Sequence, residues 1–131
     1  MPDELAVEVL KGHFSTIDAP PQWVTAVPSL RRPLLVSNFA SRLAAGLGLR
    51  YLPVLRHIKQ HTEQASLRNS YQQVMNIYNV FKVEDKPLPA PVLLVDDVSD
   101  SKWTLTVVGS LLRKNGSGLV HPFVLATTNS R

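Results

Sequence analysis

The feature that most constrains this chain is a run of four apolar residues closed by two acids, Val92-Leu-Leu-Val95-Asp96-Asp97. Pro89-Ala-Pro91 gives it a stiff entry. A short apolar run without polar alternation, bounded by turn signals, predicts a strand covered on both faces, the habit of a parallel sheet. A helical pattern follows over 103–114, with Leu105, Val108 and Leu112 on one face and Thr104, Val107 and Leu111 beside it. Arg113 and Lys114 suit the negative end of the helix dipole, and Asn115-Gly116 terminates the helix. Leu119 to Ala126 is another apolar run. Strand, helix, strand is a βαβ unit, which closes as a right-handed crossover in a parallel sheet. The predicted class is α/β.

Upstream, Glu4 to Phe14 carries Leu5, Val9 and Leu10 at helical spacing. Trp23 to Val27 is β-rich and closed by Pro28, which predicts a buried strand. The next helix is expected to start near Ser37 or Asn38, either of which can cap it. Phe39, Leu43, Ala44 and Leu47 then share a face, while Gly46 and Gly48 loosen its end. Tyr51 to Leu55 reads as a strand that Pro53 pushes toward a sheet edge. Residues 56–70 read as a polar surface loop, Ser70 to Ile77 as a short helix and Asn79 to Val83 as a strand.

With 131 residues the chain fits one domain, 1–131, able to bury roughly two-thirds of its unfolded surface. Its 44% hydrophobic and 18% charged content argue for a packed core rather than disorder. The absence of cysteine excludes a disulfide framework, a thiolate zinc site and a thiol nucleophile. No apolar run approaches the roughly 20 residues that span a bilayer, so no membrane contact is expected. The acidic opening Met1-Pro-Asp-Glu-Leu is unlike a signal peptide, and the expected location is the cytoplasm.

Charge is unevenly spread. Over 31–68 seven cations (Arg31, Arg32, Arg42, Arg50, Arg56, Lys59, Arg68) face Glu63 alone, a local +6 within a chain whose net charge is +4. Such an excess suits an anionic ligand, either a phosphorylated metabolite or nucleic acid. No aromatics are interleaved with these charges to stack bases.

Two adjacent carboxylates at a strand end repel one another and are costly to bury. In open parallel sheets, however, ligands bind outside the carboxyl ends of the strands. A ligand with paired hydroxyls, or a hydrated divalent cation, would repay Asp96 and Asp97. The loop Val98-Ser99-Asp100-Ser101 feeds a helix expected to begin near Lys102, and a helix N-terminus presents free N–H groups to a phosphate. Ser99, Ser101 and Thr104 add hydroxyls; capping by Asp100 or Ser101 is the alternative reading of the same residues.

The segment Val92 to Thr104 resembles the phosphoribosyl-pyrophosphate (PRPP) motif of type I phosphoribosyltransferases, in which four apolar residues and two acids precede a small-residue loop ending in Thr. The resemblance implies that Asp96 and Asp97 hold ribose hydroxyls and that residues 100–104, with Lys102 and Trp103 among them, wrap the 5′-phosphate. It extends over about 22–126 to the competence protein F-like group. There it implies a pyrophosphate loop at Ser29, Leu30, Arg31 and Arg32, and a mobile flap near 56–70. Magnesium would accompany a phosphorylated ligand, with Asp96 and Asp97 as its indirect partners. Val95-Asp-Asp-x-x-Asp-Ser-x-Trp-Thr-Leu105 and Pro122-Phe-Val-Leu-Ala126 are similar to the C-terminal domain of some bacterial RecQ-type DNA helicases. That similarity implies an accessory domain whose partner is the helicase core of a longer chain. Arg56, Lys59 and Arg68 are then candidate contacts for an anion or DNA. No Walker A motif is present, so this chain is not the motor.

The pattern departs from the family at the chemistry. The loop glycine that lets backbone approach phosphate is Lys102 here, and Asp100 places a carboxylate beside a phosphate dianion. Like charges about 4 Å apart repel by about 1 kcal/mol in water and about 4 kcal/mol near a protein surface. Two readings follow. One is a non-catalytic accessory domain for nucleotide, nucleic-acid or protein binding. The other is a working or PRPP-sensing transferase that moves ribose 5-phosphate to a nitrogenous base with magnesium. Such transfer rests on positioning and charge neutralisation and requires no catalytic triad. His13, His57, His61 and His121 have no partners at a telling spacing. Trp23 and Trp103 are expected in the core.

Overall fold

The computed structural model describes residues 3–29, 32–58, 70–97 and 103–125. The elements run α1 (Asp3–Phe14), β1 (Trp23–Ala26), α2 (Pro33–Leu47), β2 (Arg50–Tyr51), β3 (Leu55–His57), α3 (Ser70–Val80), β4 (Phe81–Val83), β5 (Val92–Asp97), α4 (Thr104–Lys114) and β6 (Val120–Leu125). The main sheet has the order β2-β1-β5-β6, parallel throughout. β3 and β4 pair antiparallel in a separate ribbon.

The apolar run behaves as predicted, since every residue of β5 is buried. Strand pleating sends alternate residues to opposite faces. Val24, Ala26, Leu93 and Val95 pack against α1 and α2 with Phe39, Leu43 and Ala44. Trp23, Val27, Val92 and Leu94 pack against Val107, Val108, Leu111 and Leu112 of α4 and Ile77 of α3. Burying a side chain of this size contributes about 1.5–3 kcal/mol, so the two layers supply most of the drive to fold. Trp23 is fully buried and donates its indole N–H to the Ala90 carbonyl at 2.9 Å, which is the core role expected of it.

Three expectations are corrected. Helix α2 starts at Pro33, four residues before Ser37: proline fits the first helical position, where an N–H has no partner anyway. Ser37 instead donates back to the Pro33 carbonyl at 3.0 Å. Gly46 does not loosen the helix end; a Cβ there would come within 2.6 Å of Val7, so the glycine lets α1 lie close. Gly48, at φ 74°, ends the helix in a left-handed turn. The strand expected over 51–55 is split by Pro53: Arg50 and Tyr51 join the main sheet edge, and Leu55 begins the ribbon. Smaller shifts take α3 on to Val80, reduce the following strand to Phe81–Val83, place a strand at 55–57 where loop was expected, and start α4 at Thr104 behind Trp103.

The amino end of the sheet is stitched by backbone bonds, Gln22 N–H to the Pro91 carbonyl (2.8 Å) and Gly118 N–H to the Ala90 carbonyl (2.9 Å). His121 contributes a 2.7 Å contact between Nε2 and the Ala19 carbonyl. Rigidity at that end leaves the carboxyl end free for loops. Among the described residues no helix is long and apolar enough to cross a membrane.

Candidate functional site

The chain leaves β1 for β2 on one side and returns to β5 on the other. The gap between the carboxyl ends of β1 and β5 is therefore the topological switch point, where connecting loops diverge and open a crevice. Asp96 and Asp97 end β5 at that point. Val27, just past β1, donates its N–H to the Val95 carbonyl at 2.9 Å, which holds the loop after β1 alongside the acids.

Both acids are 2% exposed. The Asp97 N–H donates to Asp96 Oδ1 at 2.7 Å, turning the first carboxylate back over the chain. The pleat puts Asp96 on the α3/α4 side with Leu94, and Asp97 on the α1/α2 side with Val95. Two carboxylates this deep are expensive to keep charged without counter-charge or donors.

Thr104, buried at 4% exposure, opens α4 next to the crevice, and Trp103 packs half-buried against the α3/α4 core. Trp103 occupies the N-cap position and gives no side-chain cap. On the other side Ser29 is buried, and its Oγ accepts the Arg32 N–H at 3.0 Å, folding the loop after β1. Arg32 is exposed at the start of α2. Arg56 lies on the ribbon in an exposed ion pair with Glu84 at 2.7 Å, so its charge is already partly met. Leu30, Arg31, Lys59, Arg68, Ser99, Asp100, Ser101 and Lys102 lie outside the described residues. The acid pair, Thr104, Ser29 and Arg32 thus gather at one end of the sheet, and Arg56 sits apart on the ribbon.

Sequence reasoning passed over two residues. Thr25, in the middle of β1, is fully buried and its Oγ1 has no hydrogen-bond partner among the described residues. Tyr51, the last residue of β2, lines a cavity of about 190 Å3 at the carboxyl ends of β1 and β2, walled by Ala26, Val27, Pro28, Ser29, Pro33, Ser37, Pro53 and Leu55. Burial raises the Tyr51 pKa above its ordinary 10.0, so the phenol stays protonated at neutral pH. Clefts of about 320 Å3 between α4 and β6, and about 310 Å3 beside the C-terminal ends of α1 and α2, lie away from the strand carboxyl ends.

A comparison with protein-family models finds no match, and none is found among curated proteins. Among solved structures the chain is similar to one described as that of the allosteric regulatory enzyme of purine biosynthesis. The TM-score is 0.54 at 20% identity, over 93% of this chain and 25% of that one. The fold is the single-domain, parallel-sheet α/β fold of type I phosphoribosyltransferases. This chain spans a quarter of the length of that neighbour.

Proposed function

We propose that this chain is a non-catalytic accessory domain that keeps the phosphoribosyltransferase fold to bind a ribose-phosphate ligand, PRPP or a nucleotide, within a RecQ-type DNA helicase. The observation that carries the ligand reading is the burial of Asp96 and Asp97 at the switch point, where this class of sheet holds its ligands. Their carboxylates would accept the two ribose hydroxyls, and Thr104 with the loop before it would face the 5′-phosphate. Absence of catalysis is inferred from Asp100 and Lys102, which oppose close backbone approach to phosphate. The helicase parent rests on the sequence resemblance at 95–105 and 122–126.

Magnesium fits this site as part of a ligand complex. Among the described residues no group of three or more His, Cys, Asp or Glu could hold a metal alone. Two carboxylates plus phosphate oxygens and waters are the usual donors for magnesium, which would neutralise the diphosphate. Asp96 and Asp97 are the residues that would face it.

The alternative is an active transferase, favoured by the intact acid pair and the buried Thr104. Calorimetric titration of magnesium PRPP decides between them when paired with a base-dependent pyrophosphate-release assay. Micromolar binding that is lost in the Asp96→Asn, Asp97→Asn double variant, with no release for any base, is the expected result. Release of pyrophosphate would replace the accessory reading with the transferase. No heat at millimolar ligand would remove the ribose-phosphate site altogether.

A further inference from the structure

We propose that the cleft between α4 and the edge strand β6 is a docking site for an extended peptide of a partner protein, one with two alternate apolar side chains followed by a carboxylate. The cleft has a volume of about 320 Å3 and lies away from the acid pair, so it is independent of the ribose-phosphate site. Leu105, Leu119, Val120 and Pro122 give it apolar walls, and Arg113 brings charge at one end.

Gly109 is the residue that points to an occupant. It lies buried in the middle of α4 and lines the cleft, although glycine is the poorest helix former after proline. Packing against the described residues does not demand it. A Cβ built there would meet the Val120 side chain at 3.5 Å, an ordinary van der Waals contact. Alanine would therefore fit and strengthen the helix. What alanine would remove is depth, because its methyl would stand at the base of the cleft where α4 meets β6.

The dimensions select an extended chain. From Leu105 to Arg113 the lining follows α4 over eight residue steps, about 12 Å at 1.5 Å each. Four steps of extended backbone cover about 13 Å. Alternate side chains of such a segment face the same way, so its first and third residues meet the apolar walls and its fifth meets Arg113. β6 is the last strand of the sheet and its even-numbered residues face outward, which places the Val120 and Pro122 carbonyls to accept N–H donors from a chain laid alongside. Pro122 offers no N–H in return, so side chains rather than strand addition carry the selection. Arg113 and Lys114 together outweigh the roughly half unit of negative charge at the C-terminal end of α4, and the net field there favours a carboxylate.

The test is fluorescence anisotropy of the wild-type chain with a labelled, amidated pentapeptide, leucine-serine-leucine-serine-aspartate, and with its asparagine counterpart. The variants are Gly109→Ala and Arg113→Gln, each checked by thermal melt. The asparagine peptide is expected to bind the wild-type chain roughly threefold to fivefold more weakly, the size of an exposed ion pair. Arg113→Gln is expected to bind both peptides alike. Gly109→Ala is expected to melt at a higher temperature yet bind the aspartate peptide roughly tenfold more weakly, since a single methyl group discriminates to that extent in an apolar site. Equal binding of the two peptides by the wild-type chain, or full affinity of Gly109→Ala, would overturn the proposal. So would the absence of binding at millimolar peptide. A dimer of the wild-type chain in sedimentation that Gly109→Ala dissolves would give the cleft to a second copy and overturn it as well.

Discussion

Thr25 shows how one atom can work against the rest of a core. It lies on β1 opposite Leu94, between Trp23 and Val27, and its hydroxyl has given up water without gaining a partner among the described residues. An unsatisfied buried hydroxyl costs about 1–3 kcal/mol, whereas its methyl neighbour loses nothing. Valine has nearly the same shape and the β-branching that a strand favours. Thr25→Val is therefore expected to stabilise the chain by about 1 kcal/mol, read as a melting temperature roughly 4 °C higher. A lower melting temperature would mean that the hydroxyl is satisfied in solution, by water or by ligand. Neither Thr25 nor Tyr51 was legible in the sequence. Threonine and tyrosine are common strand residues, and only the pairing partners decide whether their oxygens are spent. The place of Asp96 and Asp97 at the end of a buried strand was legible, because the apolar run before them leaves few alternatives.

At the scale of elements, legibility followed length and local chemistry. β5 and α4 were readable because an apolar run and a helical period leave few alternatives. α2 was placed four residues late because Ser37 and Asn38 look like caps, while the stronger start signal was Pro33 after Arg32. The split of β2 from β3 needs the third dimension: Val24 and Tyr51 pair in the main sheet, and Leu55 pairs with Val83 in the ribbon. β6 carries a further lesson about edges. Val92 donates to the Leu119 carbonyl, so the ladder uses the odd-numbered residues of β6 and the even-numbered ones face outward. Pro122 falls on the outward set, where its missing N–H denies an incoming strand a donor. Pro122→Val restores that donor and adds β propensity. Concentration-dependent self-association in sedimentation is expected of the variant, and a monodisperse variant would show that the edge is protected by something else.

At the scale of the whole molecule, charge and site separate. The acids lie buried at the switch point, while the described arginines of the basic segment, Arg32, Arg42, Arg50 and Arg56, are exposed. A nucleic acid would meet the second group without touching the first. Binding through phosphates releases counterions, and each lost contact lowers the slope of log affinity against log salt by about 1. Replacing Arg31, Arg32, Arg56 and Lys59 with alanine is expected to weaken DNA binding and cut that slope by about 3, short of 4 because Glu84 already partners Arg56. Asp96→Asn with Asp97→Asn is expected to leave DNA affinity within about twofold while abolishing ribose-phosphate binding at the proposed site. Fluorescence anisotropy across a salt series reads both variants. A salt-independent affinity, or none, would remove DNA from the proposed partners and leave the basic surface to the proposed helicase core. Loss of DNA binding in the acid variant would instead mean that ligand and nucleic acid share the crevice, and that the two functions proposed for this domain are one.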